Sequence, residues 1–263
     1  MPNAIEAFER LTDSIAEKQV VVALDYDGTL TPIVNRPDMA VLSDEMRTVL
    51  RRVADRCPTL VISGRELRNV QQMVGVENIV YAGSHGFDIT GPGGKSFKIE
   101  AGERFVPAIK RAAEELKRRL DGVEGTLIED KRYAIAVHYR NVSEQQVDTV
   151  EQAVDAALAR ETELRKMGGK KVFELRPDID WDKGTALLRI LAELDLDNAE
   201  VTPFYVGDDV TDEDAFRALR QRGIGIRVGE EAGATEASYQ LADPEEVRCF
   251  LERLGEWLDR RQQ

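Results

Sequence analysis

The sequence predicts an α/β fold: a Rossmann-like parallel sheet with helices on both faces, interrupted by a smaller α/β insertion. Three observations carry this reading. Short apolar runs alternate with helical-period stretches at both ends of the chain. The best of these runs ends abruptly in carboxylates and glycine. Between the two ends the rhythm changes, and one α-β-β unit occurs twice.

Val20 to Leu24 is a continuous apolar run, as expected of a buried strand. Ser43 to Ala54 reads as a helix with Ser43 at its start, Thr59 to Ile62 as a strand, Glu66 to Val74 as a helix, and Ile79 to Ala82 as a third strand. A β-α-β-α-β order gives a parallel sheet, and ligands of such sheets bind beyond the carboxyl ends of the strands. Asp25, Asp27, Ser63 and Ser84 fall at those ends.

The turn-rich stretch Thr90-Gly-Pro-Gly-Gly-Lys95 lies between two short alternating pieces and suggests a hairpin. Phe105, Ile109, Ala112, Ala113, Leu116 and Leu120 recur at helical spacing. Strands follow near Gly125 to Glu129 and Tyr133 to Tyr139, the second with Ala134, Ala136, His138 and Arg140 on one face. A helix from Ser143 to Arg160 precedes strands near Thr162 to Lys166 and Lys171 to Leu175, joined by Gly168-Gly169. After Pro177 the first rhythm returns: a helix over Asp182 to Leu194, a strand over Pro203 to Val206, a helix over Thr211 to Arg220 and a strand over Gly223 to Val228. A short strand at Tyr239 to Leu241 and a helix over Pro244 to Arg260 close the chain. The expected division is a core of residues 1–90 and 178–263 with an inserted cap of residues 91–177, an ordinary size for a small domain.

Composition narrows the function. The 263 residues are 42% hydrophobic, enough for a sizeable core, and 49 acidic against 36 basic residues leave a net charge of −13. That balance argues against nucleic acid and against an anionic membrane surface as partners. A phosphate ligand would need positive charge supplied locally, by a metal, Lys or Arg. The two cysteines, Cys57 and Cys249, have no metal-ligand spacing and read as reduced and structural. No basic leader followed by an apolar segment and no run of about 18 apolar residues is present, so a soluble cytoplasmic protein is expected.

Asp25-Tyr-Asp27-Gly28-Thr29 follows the apolar strand. One Asp-Gly after a strand is an ordinary turn. Two carboxylates at one strand tip can hold a cation, or divide a reaction between nucleophile and acid/base. Gly207-Asp208-Asp209-Val-Thr211-Asp212-Glu213-Asp214 also follows an apolar strand. Thr211 with Asp214 resembles a capping box, and Asp212 and Glu213 suit a helix start. Asp208 and Asp209 precede the cap, and with Asp25 and Asp27 they make an all-oxygen set suited to Mg²⁺. Ser63-Gly-Arg65-Glu66 reads as a capping box, with Ser63 placed to donate to a phosphate oxygen as well. Lys183, in Asp182-Lys-Gly184, opposes the dipole of its own helix, so an anion should hold it there. His138, Arg140, Glu174 and Arg176 are read equally well as sheet-edge residues or as ligand contacts, and His85 as a turn histidine.

In this order the core motifs resemble those of the haloacid dehalogenase-like phosphatases. Ser63-Gly-Arg65, Gly83-Ser-His-Gly86, His138-Tyr-Arg140, Glu174-Leu-Arg-Pro177, Asp182-Lys-Gly184 and Gly207-Asp-Asp-Val-Thr-Asp-Glu-Asp-Ala-Phe216 resemble the set of the trehalose-6-phosphate phosphatases. The resemblance implies Asp25 as nucleophile and Asp27 as acid/base. It implies Mg²⁺ between Asp25, Asp208 and the main-chain carbonyl of Asp27, Asp209 orienting Lys183 or a metal-bound water, and Ser63 and Lys183 on the phosphoryl oxygens. Arg65, His85, Glu129, Lys131, His138, Arg140, Glu174 and Arg176 are the implied substrate contacts. A phosphorylated sugar as substrate, a monomeric state and functional pairing with a trehalose-6-phosphate synthase complete the expectation. Another sugar phosphate such as sucrose 6-phosphate, a phosphomutase, and a non-catalytic sugar-phosphate sensor remain open at this point.

Overall fold

A computed structural model describes residues 1–34, 36–94, 97, 102–169, 171–229 and 233–261. The chain forms two compact units, Met1–Lys98 with Trp181–Gln263, and Ile99–Asp180. In chain order the first unit begins with α1 (Phe8–Asp13), β1 (Gln19–Leu24), α2 (Asp44–Ala54), β2 (Thr59–Ile62), α3 (Leu67–Val74), β3 (Val80–Gly83) and β4 (Asp88–Thr90). The second unit holds α4 (Val106–Arg119), β5 (Leu127–Lys131), β6 (Ala134–His138), α5 (Val147–Leu158), β7 (Leu164–Gly169) and β8 (Val172–Pro177). The first unit resumes with α6 (Lys183–Glu193), β9 (Val201–Gly207), α7 (Glu213–Leu219), β10 (Ile224–Val228), β11 (Tyr239–Leu241) and α8 (Pro244–Arg261).

The sheet of the first unit has the order β11-β10-β9-β1-β2-β3-β4. Its strands run parallel except β4, which pairs antiparallel with β3. β1 sits centrally because its six residues, with only Gln19 exposed, tolerate cover on both faces. It pairs with β9 on one side, Leu24 opposite Val206, and with β2 on the other, Leu24 opposite Val61. The winding reverses between β1 and β9, and that reversal opens a crevice at their carboxyl ends.

Alternation splits the strand residues between two helical layers. Val20, Val22 and Leu24 join a core with Phe8 of α1, Leu50 of α2, Val70 of α3 and Phe250 and Leu254 of α8. Each fully buried side chain of this size is worth about 1.5–3 kcal/mol. On the other face Tyr205 of β9 meets Phe216 of α7 edge-on at 5.7 Å, and α6 packs on α7. α2 starts where Ser43 caps it, accepting from the Met46 amide at 3.1 Å.

In the second unit β5-β6-β8-β7 form an antiparallel sheet. Ile135, Val137, Phe173 and Leu175 pack on one side against Ile109 and Leu116 of α4 and Val150 and Val154 of α5. Strand alternation therefore sends Glu129, Lys131, His138, Glu174 and Arg176 to the opposite face.

Two local expectations change, and a third falls partly outside the described residues. The turn after β4 is present as Pro92–Gly94, and Phe97 N donates to Ile89 O at 3.4 Å, while Lys95, Ser96 and residues 98–101 of the expected hairpin lie outside the described residues. Gly168 and Gly169 do not form the joint between β7 and β8 but lie inside β7, and Lys171, at φ +66°, adopts the left-handed turn conformation. The helix expected from Ser143 opens with one 3₁₀ turn, Glu144–Gln146. No described helix is long and apolar enough to cross a membrane. Cys57 and Cys249 are unbridged, and burial pushes the Cys57 thiol up to about 12, which leaves it inert.

Candidate active site

Asp25 follows β1 and extends its ladder by one step, its amide donating to Val206 O at 2.9 Å. The strand thus fixes the carboxylate at the crevice. Lys183 opens α6 and is 3% exposed. Its Nζ donates to Asp25 Oδ1 and to Asp212 Oδ1, both at 2.7 Å. Tyr205 OH donates to that same Asp212 oxygen at 2.7 Å. The start of α6 is set by Asp182, whose carboxylate accepts from the Thr185 amide at 2.7 Å. Burial pulls the Lys183 ammonium down, but Asp212 and Asp25 outweigh it and hold the group above its ordinary value, so it stays charged. Burial raises the Asp25 carboxyl well above its usual range; Lys183 opposes this, and Asp212 and Asp208 add to it.

Asp208 follows β9. Burial and the neighbouring Asp212 push its carboxyl up to about 7. Its Oδ1 is buried without a hydrogen-bond partner in the protein. Asp25, Asp208 and Asp212 each offer an oxygen, and the three lie within 4.8 Å of one another. Three carboxylates with one ammonium among them leave excess negative charge in a low-dielectric site. An all-oxygen donor set with an orphaned buried oxygen fits a hard divalent cation. Gly28, at φ +82°, is required here: a Cβ on it would overlap the Asp208 carboxylate.

One expectation about this cluster needs correction. Asp209 is exposed and turned away; its backbone N–H donates to Asp212 Oδ2 at 2.9 Å, and the two residues form a reciprocal capping box around the 3₁₀ turn Val210–Asp212. The box expected between Thr211 and Asp214 is therefore built two residues earlier, and the carboxylate that reaches Lys183 is Asp212. The Asp27 side chain, expected as the acid/base with its main-chain carbonyl toward the ion, stands outside the carboxylate cluster. Arg65 grips it with two parallel bonds, Nε to Oδ2 at 2.7 Å and Nη2 to Oδ1 at 2.6 Å.

Ser63 follows β2 and is buried. Its Oγ accepts from the Arg65 amide at 3.1 Å, and α3 begins at Leu67 without a side-chain cap, so the box expected with Glu66 is not formed. The loops after β2 and β3 are stitched together, Ser84 N donating to Arg65 O at 2.7 Å and His85 N to Ser63 O at 2.9 Å. Ser84 and His85 both adopt positive φ, +50° and +58°, an uncommon backbone for such residues that clusters at functional sites. It places the His85 ring against Gly64, where a Cβ would not fit.

In the second unit, His138 Nε2 lies 3.3 Å from Glu129 Oε2, and Lys131 Nζ lies 3.4 Å from that oxygen and 3.8 Å from Glu174 Oε1. Arg176 pairs with Glu174. The His138 contact, ahead of the cost of burial and the Lys131 charge, holds the Glu129 carboxyl down at about 2. These five residues form one polar face; Arg140 lies beyond the end of β6, exposed. Sequence reasoning did not assign Asp212 or Tyr205 to the site. Asp212 had a signal, its spacing of four from Asp208, which a helix-start reading absorbed; Tyr205 had none, because a tyrosine in an apolar strand looks like core.

The family model for trehalose-phosphatase matches residues 23–245. Trehalose-phosphate phosphatase B of Arabidopsis thaliana is 41% identical over 267 residues, covering 97% of this chain and 71% of the relative. The chain belongs to the trehalose-phosphatase family. This member of the family is thereby a phosphatase, a phosphoric monoester hydrolase. The C-terminal domain of a trehalose-6-phosphate phosphatase from C. albicans superposes with a TM-score of 0.79 at 24% identity, over 98% of this chain and 99% of that one. A haloacid dehalogenase-like hydrolase from Bacteroides thetaiotaomicron shares the fold at 16% identity, with a TM-score of 0.64 over 92% of this chain and 99% of that one. The trehalose-phosphatase resemblance and the α/β fold expected from the motifs both stand.

Proposed function

We propose that this trehalose-phosphatase hydrolyses trehalose 6-phosphate to trehalose and phosphate through an aspartyl-phosphate on Asp25. The observation that carries the proposal is the buried Asp25–Lys183–Asp212 chain beside Asp208, at the crevice of the parallel sheet. Asp25 Oδ attacks phosphorus while the bond from phosphorus to the sugar oxygen breaks in line. Asp27 gives its proton to that departing oxygen. In the second step Asp27 takes a proton from water, the water oxygen attacks phosphorus, and the bond to Asp25 breaks, restoring the carboxylate. Lys183 and Ser63 hold phosphoryl oxygens, on which transition-state charge is spread. Asp25, Asp208 and Asp212 would hold Mg²⁺, which when bound supplies positive charge that offsets repulsion between the carboxylate and a dianionic ester.

Residues 1–90 and 178–263 serve as the catalytic core, and residues 91–177 supply specificity. Glu129, Lys131, His138, Glu174 and Arg176 alternate acceptors and donors on one face, which suits the hydroxyls of a neutral disaccharide. The protein acts as a cytoplasmic monomer, downstream of a trehalose-6-phosphate synthase. A panel of phosphorylated sugars scored by phosphate release with Mg²⁺ present is the test. Trehalose 6-phosphate should give the highest kcat/KM; preference for sucrose 6-phosphate or a hexose phosphate overturns the substrate. Tight binding without release would instead mark a sensor, and isomer formation without free phosphate a mutase.

A further inference from the structure

Arg65 was expected to contact substrate, and its geometry argues otherwise. A guanidinium has five N–H donors. Nε and Nη2 fork onto Asp27, Nη2 also reaches Pro37 O at 2.8 Å, and Nη1 reaches Asn69 Oδ1 at 3.1 Å and Met73 Sδ at 3.2 Å. Every donor direction is thus engaged within the protein. The guanidinium also lies over the Tyr26 ring, 5.3 Å from its centre, and Tyr26 OH donates to Ala40 O at 2.6 Å. Arg65 therefore joins the loop after β1, the segment at residues 37–40 and α3, with the Asp27 carboxylate at the junction. A planar fork fixes both the position and the plane of a carboxylate, which a lysine cannot do.

We infer that Arg65 is a positioning residue for Asp27: it sets the carboxylate plane from which Asp27 exchanges a proton with the leaving oxygen and with water, and it does not bind the substrate. The inference rests on the acid/base role proposed for Asp27. The helix α3 and the 37–40 segment give the fork its rigidity, so the effect should appear in turnover and not in affinity.

A double-mutant cycle tests it, with trehalose 6-phosphate and Mg²⁺, in single-turnover format so that slow variants remain measurable. Arg65→Met should lower kcat about 10–100-fold, a fraction of what general acid/base catalysis supplies, with KM within about twofold. In an Asp27→Asn background the same change should alter the rate less than about twofold, because the group it positions is already gone. Should Arg65→Met show no cooperative melt, Arg65→Lys, which keeps charge and loses the fork, is read by the same criteria. A raised KM with kcat unchanged, or a loss of equal size in both backgrounds, overturns the inference. If Asp27→Asn alone turns over at the wild-type rate, the acid/base assignment fails, and that outcome is separate from the other two.

Discussion

Asp212 serves two purposes with its two oxygens. One caps a 3₁₀ turn through the Asp209 amide, and the other accepts from both Lys183 and Tyr205. Burial, followed by the Asp212 and Asp25 charges, raises the Tyr205 phenol well above its ordinary value, so it remains a donor at any working pH. Tyr205→Phe leaves a charged acceptor short of one bond, worth about 1.5–3 kcal/mol. Its melting temperature should fall and its kcat drop about 3–10-fold with KM little changed; thermal melts and steady-state kinetics read both. Asp208 gives a pH signature. A carboxyl raised from 3.8 to about 7 means that the folded chain binds the extra proton between those values. Stability from this group is therefore lost as pH rises from about 4 to 7 in metal-free protein. Asp208→Asn should match the wild type near pH 4 and exceed it by roughly 1–3 kcal/mol at pH 8 in EDTA. Adding Mg²⁺ at pH 8 should raise the wild-type melting temperature and barely move the variant. A wild type more stable than the variant in EDTA at pH 8 would mean that the carboxylate is not electrostatically strained.

At the scale of elements, the site depends on helix starts and strand ends. Asp182→Ala removes the cap of α6 and should cost about 0.5–2 kcal/mol, as read in urea melts. It should also lower kcat beyond what its small stability loss explains, since Lys183 is the first residue of that helix. Gly207→Ala is expected to be worse: a Cβ there would overlap the Asp212 carboxylate. Loss of activity with a cooperative melt preserved is the predicted result, and a fully active Gly207→Ala would show that Asp212 need not sit where it does. The long elements were legible because hydrophobic period and punctuation agree, as at α2, where Ser43, the apolar stripe and Cys57-Pro58 bound the helix. What was not legible was local. An acidic run such as 208–214 offers several capping boxes of equal local merit, and only the backbone path decides between Thr211–Asp214 and Asp209–Asp212. The joint of β7 and β8 misled because Gly168-Gly169 looks like a turn, whereas strand pairing with Phe173 and Val172 claims both glycines.

The whole molecule divides its chemistry between two compact units. The side chains that could break a phosphoester, Asp25, Asp27, Ser63, Lys183 and Asp208, all belong to the first. The second carries a face of alternating carboxylates and cations on a sheet whose other face is buried under two helices. Position along the chain made the first group readable, because strand tips announce themselves in sequence. The second was readable only as a list of polar residues, since pairing across three strands puts Glu129 and Glu174 on either side of Ala136. Glu174→Ala should raise KM for trehalose 6-phosphate about tenfold or more while hydrolysis of p-nitrophenyl phosphate, which has no sugar to read, stays within about twofold. Equal losses on both substrates would assign Glu174 to stability and not to recognition.

The most direct measurement is a rapid acid quench of wild type and Asp25→Asn after mixing with ³²P-labelled trehalose 6-phosphate and Mg²⁺. Wild type should carry base-labile label on the peptide that contains Asp25 during turnover, and Asp25→Asn should stay folded, carry none and release no phosphate. Turnover by Asp25→Asn, or label on any other residue, would contradict the assignment of Asp25 as the nucleophile.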